Sequence, residues 1–332
     1  MTHCDPVDTP AHLFFMLVYS LVFLVGLVLN SFTMKVYFCS AQQQISSILM
    51  VYLKNLAVSD FLLCLDLPFR IINYTSTSAT FRLVYCTFGA STFYLNTYAS
   101  ILFMGYIAAN RYLKIIHPLG NHILQTVQAA RIISTVTWVF LLAIVITYVT
   151  LSLLTQETLT NVPDTCDALR STQVIVFYKI IHTFSTAIFL FVFVSLVFFY
   201  YSASRSVLLA QQRQPASSSC KKLMKSRKKM LLLVSVFCIC FVPYHLVRLP
   251  YTFLRRWCPL SLMLYYVKET TVLLSALNIC LDPLIYFIVC EAFRAQLSRP
   301  HSKKARRCSE GQLRATNNEA SPSTSTRQTD GL

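Results

Sequence analysis

The chain is expected to be an all-α polytopic membrane protein, a bundle of seven transmembrane helices followed by a short amphipathic eighth. Three observations predict this. The 332 residues are 55% hydrophobic and only 13% charged, where a soluble domain carries about 25% charged residues. The apolar residues gather into seven runs, each with at least the ~20 residues a membrane-crossing helix needs. Most of the 29 Lys and Arg fall in alternate connecting segments, as in loops that stay cytoplasmic. That asymmetry also accounts for the net charge of +16, so nucleic-acid binding is not expected.

The runs are placed at 11–38, 46–72, 83–115, 128–154, 173–206, 223–254 and 262–289. The first follows ten residues that contain two Asp and no Lys or Arg. It lacks the charged flank of a cleavable signal and reads as a signal-anchor. The second and third carry Asn55, Asp60, Asn110 and Arg111; the moderate apolarity of the runs fits helices that face one another as well as lipid. The fourth holds Trp138 within an aliphatic run. The fifth and sixth are polar at their ends, which predicts helices running beyond the hydrocarbon. The seventh contains Asn278, Asp282 and Pro283. Residues 290–298 alternate apolar Cys290, Phe293 and Leu297 with Glu291 and Arg294, the pattern of a helix lying along an interface. The chain is thus divided into an extracellular N-terminus (1–10), a membrane domain (11–298) and a cytoplasmic tail (299–332). That tail is basic, then Ser/Thr-rich, and should be disordered. The basic distribution selects N-terminus outside and C-terminus inside, in the plasma membrane.

Ionisable groups at membrane depth usually face the bundle interior. Asp60, Asp282 and Arg111 require a reason there, as do Asn30 and Asn278. Helix–helix hydrogen bonding explains Asn30. Asp60 and Asp282, with Asn278 and Ser100, could hold a small cation such as Na⁺, or a proton. No other cofactor or metal is expected. The histidines are scattered and no catalytic triad is visible, which disfavours an enzyme. A transporter or channel is disfavoured by short loops and the lack of a repeat.

The residues Asn30, Asn55-Leu56-Ala57-x-x-Asp60, Asn110-Arg111-Tyr112, Trp138, Cys240-Phe241-x-Pro243 and Asp282-Pro283-x-x-Tyr286 stand in that order, each on a different helix. Together they resemble the rhodopsin-like G-protein-coupled receptors, over about residues 10–300. The segments Cys240–Tyr251, Lys268-Glu269-Thr270-Thr271 and Leu277–Pro283 resemble the purinergic nucleotide receptors and their orphan and lipid-binding relatives. They look closest to the Gi-coupled subgroup that recognises ADP or UDP-sugars.

The resemblance implies two disulfides, Cys86–Cys166 and Cys4–Cys258, and Asn73-Tyr74-Thr75 is a glycosylation sequon. It also implies a ligand set of Tyr94, Tyr98, Arg248, Tyr251, His245 and Lys268, with Arg170 as a basic loop residue. Helical spacing adds Tyr244 beside Arg248, and Lys179 with His182; Arg70, Arg255 and Arg256 are further basic candidates. A cationic cup with tyrosine walls suits a multiply charged anion bearing a flat ring, since Arg offers a fork of donors and Lys a mobile charge. The subgroup's Pro-Asn on the fourth helix is Thr147-Tyr148 here, and Tyr178 and His182 replace its usual pair on the fifth. The phosphate end therefore matches and the base or headgroup end does not. An extracellular nucleotide is the leading ligand, a lysophospholipid the alternative.

By the same resemblance, Arg111 and Tyr112 engage the G protein, expected to be Gi. Tyr200 and Tyr286 close the inner network, Phe241 and Pro243 form the toggle, and Asp282 and Pro283 the seventh-helix switch. Asn110 stands where the family has an acid that restrains Arg111, so raised basal activity is expected, or a constitutively active orphan. The fifth segment has no proline, which leaves the family's bulge there open. Receptor kinases and arrestin are expected partners of the tail, and anionic membrane lipid of the Lys221–Lys229 run.

Overall fold

The computed structural model describes residues 9–39, 47–76, 78–116, 126–156, 166, 169–213, 218–254 and 258–289. The expectations for Cys4, Arg255, Arg256, the helix at 290–298 and the tail lie outside the described residues, as does the side chain of Cys258. The described residues form helices and no strands. They are α1 (Thr9–Cys39), α2 (Ile48–Thr75), α3 (Ala79–Val84), α4 (Ala90–Ile116), α5 (Val127–Leu154), α6 (Thr172–Arg213), α7 (Ser218–Leu254), α8 (Cys258–Ala276) and α9 (Asn278–Val289). One π-helical turn, Tyr85–Gly89, joins α3 to α4, so the third run is one continuous element. Ser47, Ser78 and Thr126 cap α2, α3 and α5 by accepting the amide three residues on.

Among the described residues, six helical stretches are long and apolar enough to cross a membrane: those beginning at Ala11, Ile48, Val127, Thr172, Leu223 and Met263. The third run is the exception, and its position explains why. Ser91, Asn96, Thr97, Ser100, Asn110 and Arg111 of α4 are all buried, so this helix faces protein where others face lipid. The outer helices do the reverse: Leu17, Leu21, Val28, Val136, Phe191 and Val194 are all more than half exposed. An apolar exterior around a polar interior is what a bilayer solvent selects.

Helix lengths depart from the sequence expectation where polar residues continue a helix past its apolar run. α6 reaches Arg213 rather than 206, and its 42 residues span about 63 Å, twice the ~30 Å hydrocarbon core. It runs as unbroken α-helix, so the open question of a bulge resolves to none in this segment. The seventh run is interrupted at Leu277, which separates α8 from α9. There the amide of Leu277 is shared between the carbonyls of Leu273 and Leu274.

Helix contacts are close where side chains are small. A Cβ on Gly26 of α1 would meet Ile279 of α9 at 2.6 Å. Beside it the Asn30 amide donates to the carbonyls of Gly26 (2.9 Å) and Ile279 (2.8 Å). The Trp138 indole donates to Asn55 at 2.9 Å, tying α5 to α2. These are the polar ties that helix association in lipid relies on.

Candidate functional site

At the end of the bundle formed by the first turns of α4, α6 and α8 and the last turns of α2 and α7, cationic and aromatic side chains converge. Arg248 of α7 is their centre. It is only 5% exposed, and its guanidinium carbon lies 4.9, 5.5 and 5.9 Å from the rings of Tyr94, Tyr178 and Tyr251. It donates to the Tyr178 hydroxyl and sits 3.3 Å from His182 Nε2. Its Nε has no partner. Among the described residues no carboxylate pairs with it. A buried guanidinium with neutral partners alone still carries an uncompensated charge.

Arg170 shares the same tyrosine. Its guanidinium carbon stands 3.9 Å over the Tyr178 ring and its Nε donates to the Tyr148 hydroxyl at 3.1 Å. The Cys86–Cys166 disulfide ties the segment before it to the start of the third run. Of the two bridges the resemblance implied, this one is found.

Arg70 and Lys268 are differently placed. Both pair with Glu269, a residue the sequence reading quoted but gave no role. Arg70 approaches Glu269 Oε2 at 2.7 Å, Tyr74 donates to the same oxygen at 2.8 Å, and the Lys268 ammonium pairs with Oε1. The Arg70 guanidinium lies 5.1 Å from the rings of both Tyr19 and Phe93. Lys268 lies 5.3 Å from the Tyr251 ring, the ring that also faces Arg248. Glu269 thus neutralises one edge of the cup and leaves the Arg248 edge positive.

Three expected ligand residues are placed otherwise. Lys179 stands off the cluster, 5.7 Å from the exposed ring of Phe253. It follows Tyr178 directly, and one residue turns a helix by about 100°. His245 lies beneath the cup. It stacks on Phe189 at 3.8 Å and 2°, meets the Tyr98 hydroxyl at 3.1 Å and bonds to the Phe241 carbonyl at 2.8 Å. Tyr244 is 1% exposed and packs in the core with Phe15, Tyr19 and Phe93. Asn73 lies in the last turn of α2, half-buried, with its side-chain oxygen out of solvent.

A cavity opens beside the cup between α4, α5 and α6. Tyr94, Tyr98, Tyr148, Arg170, Tyr178 and His182 line one end. Leu95, Leu102, Phe140, Leu141, Ile144, Val145, Ile181, Ser185 and Ile188 line the rest.

Midway along the bundle lies a second polar group. Ser100 donates to Asp60 at 3.2 Å and contacts Ser59 at 3.1 Å; the Tyr286 hydroxyl donates to the other Asp60 oxygen. Asp282 is fully buried with its carboxyl against that of Asp60 and no other donor on its oxygens, and the amide of Asn278 is buried without a partner. Two buried carboxylates among orphaned amide and carboxylate atoms fit a small hard cation or a shared proton. A third acid, Asp66, was not singled out. It accepts from Thr92 (2.9 Å) and Asn96 (3.1 Å) and ties α2 to α4.

At the opposite end, Asn110 and Arg111 are buried side by side, and the Asn110 side-chain oxygen has no partner. Tyr112 stacks on Phe199 at 4.8 Å. Phe241 is fully buried, edge-on to Phe237 at 5.4 Å. Pro243 and Pro283 stand inside α7 and α9, and Tyr200 is half-buried on α6.

Residues 29–286 match the family model of the seven-transmembrane receptors of the rhodopsin family. Among curated proteins, purinoceptor 14 of Bos taurus is 34% identical over 85% of this chain and 84% of its own length. Purinoceptor 13 of Homo sapiens is 32% identical over 90% and 84%. G-protein coupled receptor 87 of Mus musculus is 32% identical over 87% and 80%.

Proposed function

From the premise that the chain belongs to the rhodopsin family of seven-transmembrane receptors, we propose that it is a plasma-membrane receptor for an extracellular phosphate-bearing anion. The N-terminus and the Arg248 end face outward, and the Arg111 end meets a heterotrimeric G protein, Gi. The observation that carries this reading is Arg248, a buried cation that no carboxylate neutralises among the described residues. A phosphate supplies the missing charge through charge-assisted hydrogen bonds. Lys268 and Arg170 stand at either side to complete the contact. The purinoceptor relatives favour a nucleotide of the ADP or UDP-sugar class, with the base on the Tyr94 ring. A lysophospholipid offers the same phosphate. The cavity beside the cup, about half of whose lining side chains are aliphatic, is the observation that keeps it in view.

Binding shifts the population between two bundle arrangements. His245 is the connection. It lies one turn from Arg248 on α7, stacked on Phe189 of α6 and bonded to Phe241. Na⁺ at Asp60, Ser100, Asn278 and Asp282 would hold the resting arrangement by offsetting one charge of the adjacent carboxylate pair. Phosphorylated tail residues would recruit arrestin.

The test is Gi activation in cells given nucleotide diphosphates, UDP-sugars and lysophospholipids. Arg248→Ala and Lys268→Ala should each lower agonist potency at least about tenfold, the weight of one charge-assisted hydrogen bond of about 1.5–3 kcal/mol. Unchanged potency in both, at normal surface expression, overturns the phosphate site.

A further inference from the structure

We propose that the inner end of α7 carries a binding site for a phosphoinositide of the inner leaflet, on a face formed by Lys221, Lys225 and Lys228. This rests on the orientation given above, with the Arg111 end in the cytoplasm, and on nothing in the ligand cup.

The exposed residues of α7 fall in one stripe. At about 100° per residue, Phe253, Leu246, Ile239, Lys228 and Lys221 lie within about 40° of one another, and all five are exposed. Leu231 and Met224 flank the stripe on one side and Lys225 on the other, each also exposed. The apolar members are the face that α7 turns to lipid. The lysines are the same face after it leaves the hydrocarbon. Lys229, one step on from Lys228, is buried. The basic run is thus divided by the helix: Lys221, Lys225 and Lys228 stand on the lipid-facing side, and Lys229 is turned into the packing. A G protein engages the open end of the bundle at Arg111, whereas this flank is presented to the leaflet.

Depth selects the headgroup. From Phe253 to Leu231 the helix rises about 33 Å, close to the ~30 Å hydrocarbon core. Lys228 then stands about 5 Å past the boundary, Lys225 about 9 Å and Lys221 about 15 Å. The headgroup layer is only about 5–7 Å deep on each side of a bilayer. A simple anionic headgroup keeps its charge within that layer and meets Lys228 alone. A phosphoinositide carries further phosphates on a ring that projects into water, where Lys225 and Lys221 stand. Three flexible ammonium arms suit phosphates at several depths. α6 adds a fourth cation. Lys179 lies against Phe253, Phe189 against His245 and Phe193 against Phe237, so the two helices keep a steady antiparallel register. Continued inward, that register brings Arg205 to the depth of Lys225. Arg205 is exposed and extends the lipid-facing stripe of Val194, Phe198 and Tyr201. Neither helix contains an Asp or Glu, so no charge within the pair offsets this face.

The experiment uses the purified full chain, with bound lipid read by native mass spectrometry. Phosphatidylinositol bisphosphate is offered against phosphatidylinositol and against phosphatidylserine matched for total negative charge. The bisphosphate should bind at least about tenfold tighter than either, since each lysine near the surface contributes about fivefold. Lys221→Gln, Lys225→Gln and Lys228→Gln together should remove most of that preference, and the three Lys→Arg changes should keep it. Equal binding of phosphatidylserine at matched charge overturns the proposal, because inner-surface charge alone then explains the lysines. Equal competition by soluble inositol trisphosphate overturns the lipid as the source of the phosphates. A triple Gln variant that keeps the preference overturns the site, and if that variant also loses Gi coupling the lysines belong to the G protein. The lipid series needs no variant, so a poorly folding substitution does not remove the test. Orientation is read separately, from antibody access to a C-terminal tag in intact and permeabilised cells. A tag reached only after permeabilisation, with no lipid preference, leaves the orientation standing and ends the phosphoinositide site. A tag reached in intact cells overturns both. Loss of the Arg248 phosphate site would leave this proposal untouched, since Arg248 lies about 30 Å up the same helix from Lys228.

Discussion

Glu269→Gln should be among the most damaging isosteric changes in this receptor. The Glu269 carboxylate is the shared counter-ion of Arg70 and Lys268, and it accepts a third bond from Tyr74. The side chains are 10% and 6% exposed for Arg70 and Glu269, and 13% and 6% for Lys268 and Glu269, so solvent screening does little. Removing one partner of a buried pair costs about 3–5 kcal/mol, because the charge left behind has no compensation. Here two charges are left behind. At roughly 2–4 °C per kcal/mol, the purified receptor should melt at least about 6 °C lower. A double-mutant cycle isolates the cause. Arg70→Met removes one of the orphaned cations, so it should cost less in the Glu269→Gln background than in the wild type, with a coupling of at least about 1 kcal/mol. Melting within about one degree of wild type, or simple additivity, would refute the claim that Glu269 neutralises this edge of the cup.

Three further outcomes are expected. Gly26→Ala should destabilise by about 1–3 kcal/mol, because its Cβ would meet Ile279 at 2.6 Å; an unchanged melting temperature would show that α1 and α9 can separate freely. Asn110→Asp should lower basal G-protein activation by placing a carboxylate beside Arg111, and basal signalling unchanged at matched surface expression would end that idea. Raising Na⁺ should weaken agonist binding in the wild type and not in Asp60→Asn. Equal Na⁺ sensitivity in both would remove the cation from the Asp60 cluster.

The bundle was largely legible in the sequence because lipid imposes long apolar runs, and these survive local irregularity. Their ends were less so. α6 carries on to Arg213 through Ser, Gln and Arg residues that form helix readily once outside the hydrocarbon, and hydropathy alone stops early. The break at Leu277 has no glycine to announce it. In the site, the family resemblance pointed to Arg248, Tyr94, Tyr98, Tyr251 and Arg170, and the fold brings these side chains into one cluster. Lys179 stands apart from the cluster because one helical step decides which face a residue takes. Glu269 received no role because a positive site directs attention to its cations, although an acid beside Lys268 was the available signal. Asp66, six residues beyond Asp60 in an apolar run, could have been found by asking of it the question put to Asp60.

The polar burial of α4 has a consequence for how the protein is made. A segment bearing Asn96, Asn110 and Arg111 gains little from entering lipid alone, since amides and charges oppose insertion by kcal-scale amounts. Its neighbour α2 holds partners for two of its polar side chains: Asp66 bonds Asn96, and Asp60 accepts from Ser100. The third segment is therefore stable in the bilayer only as part of the assembled bundle, and its insertion and folding become one event. A substitution at Asp66 would register first during synthesis, as a chain retained or degraded before reaching the surface.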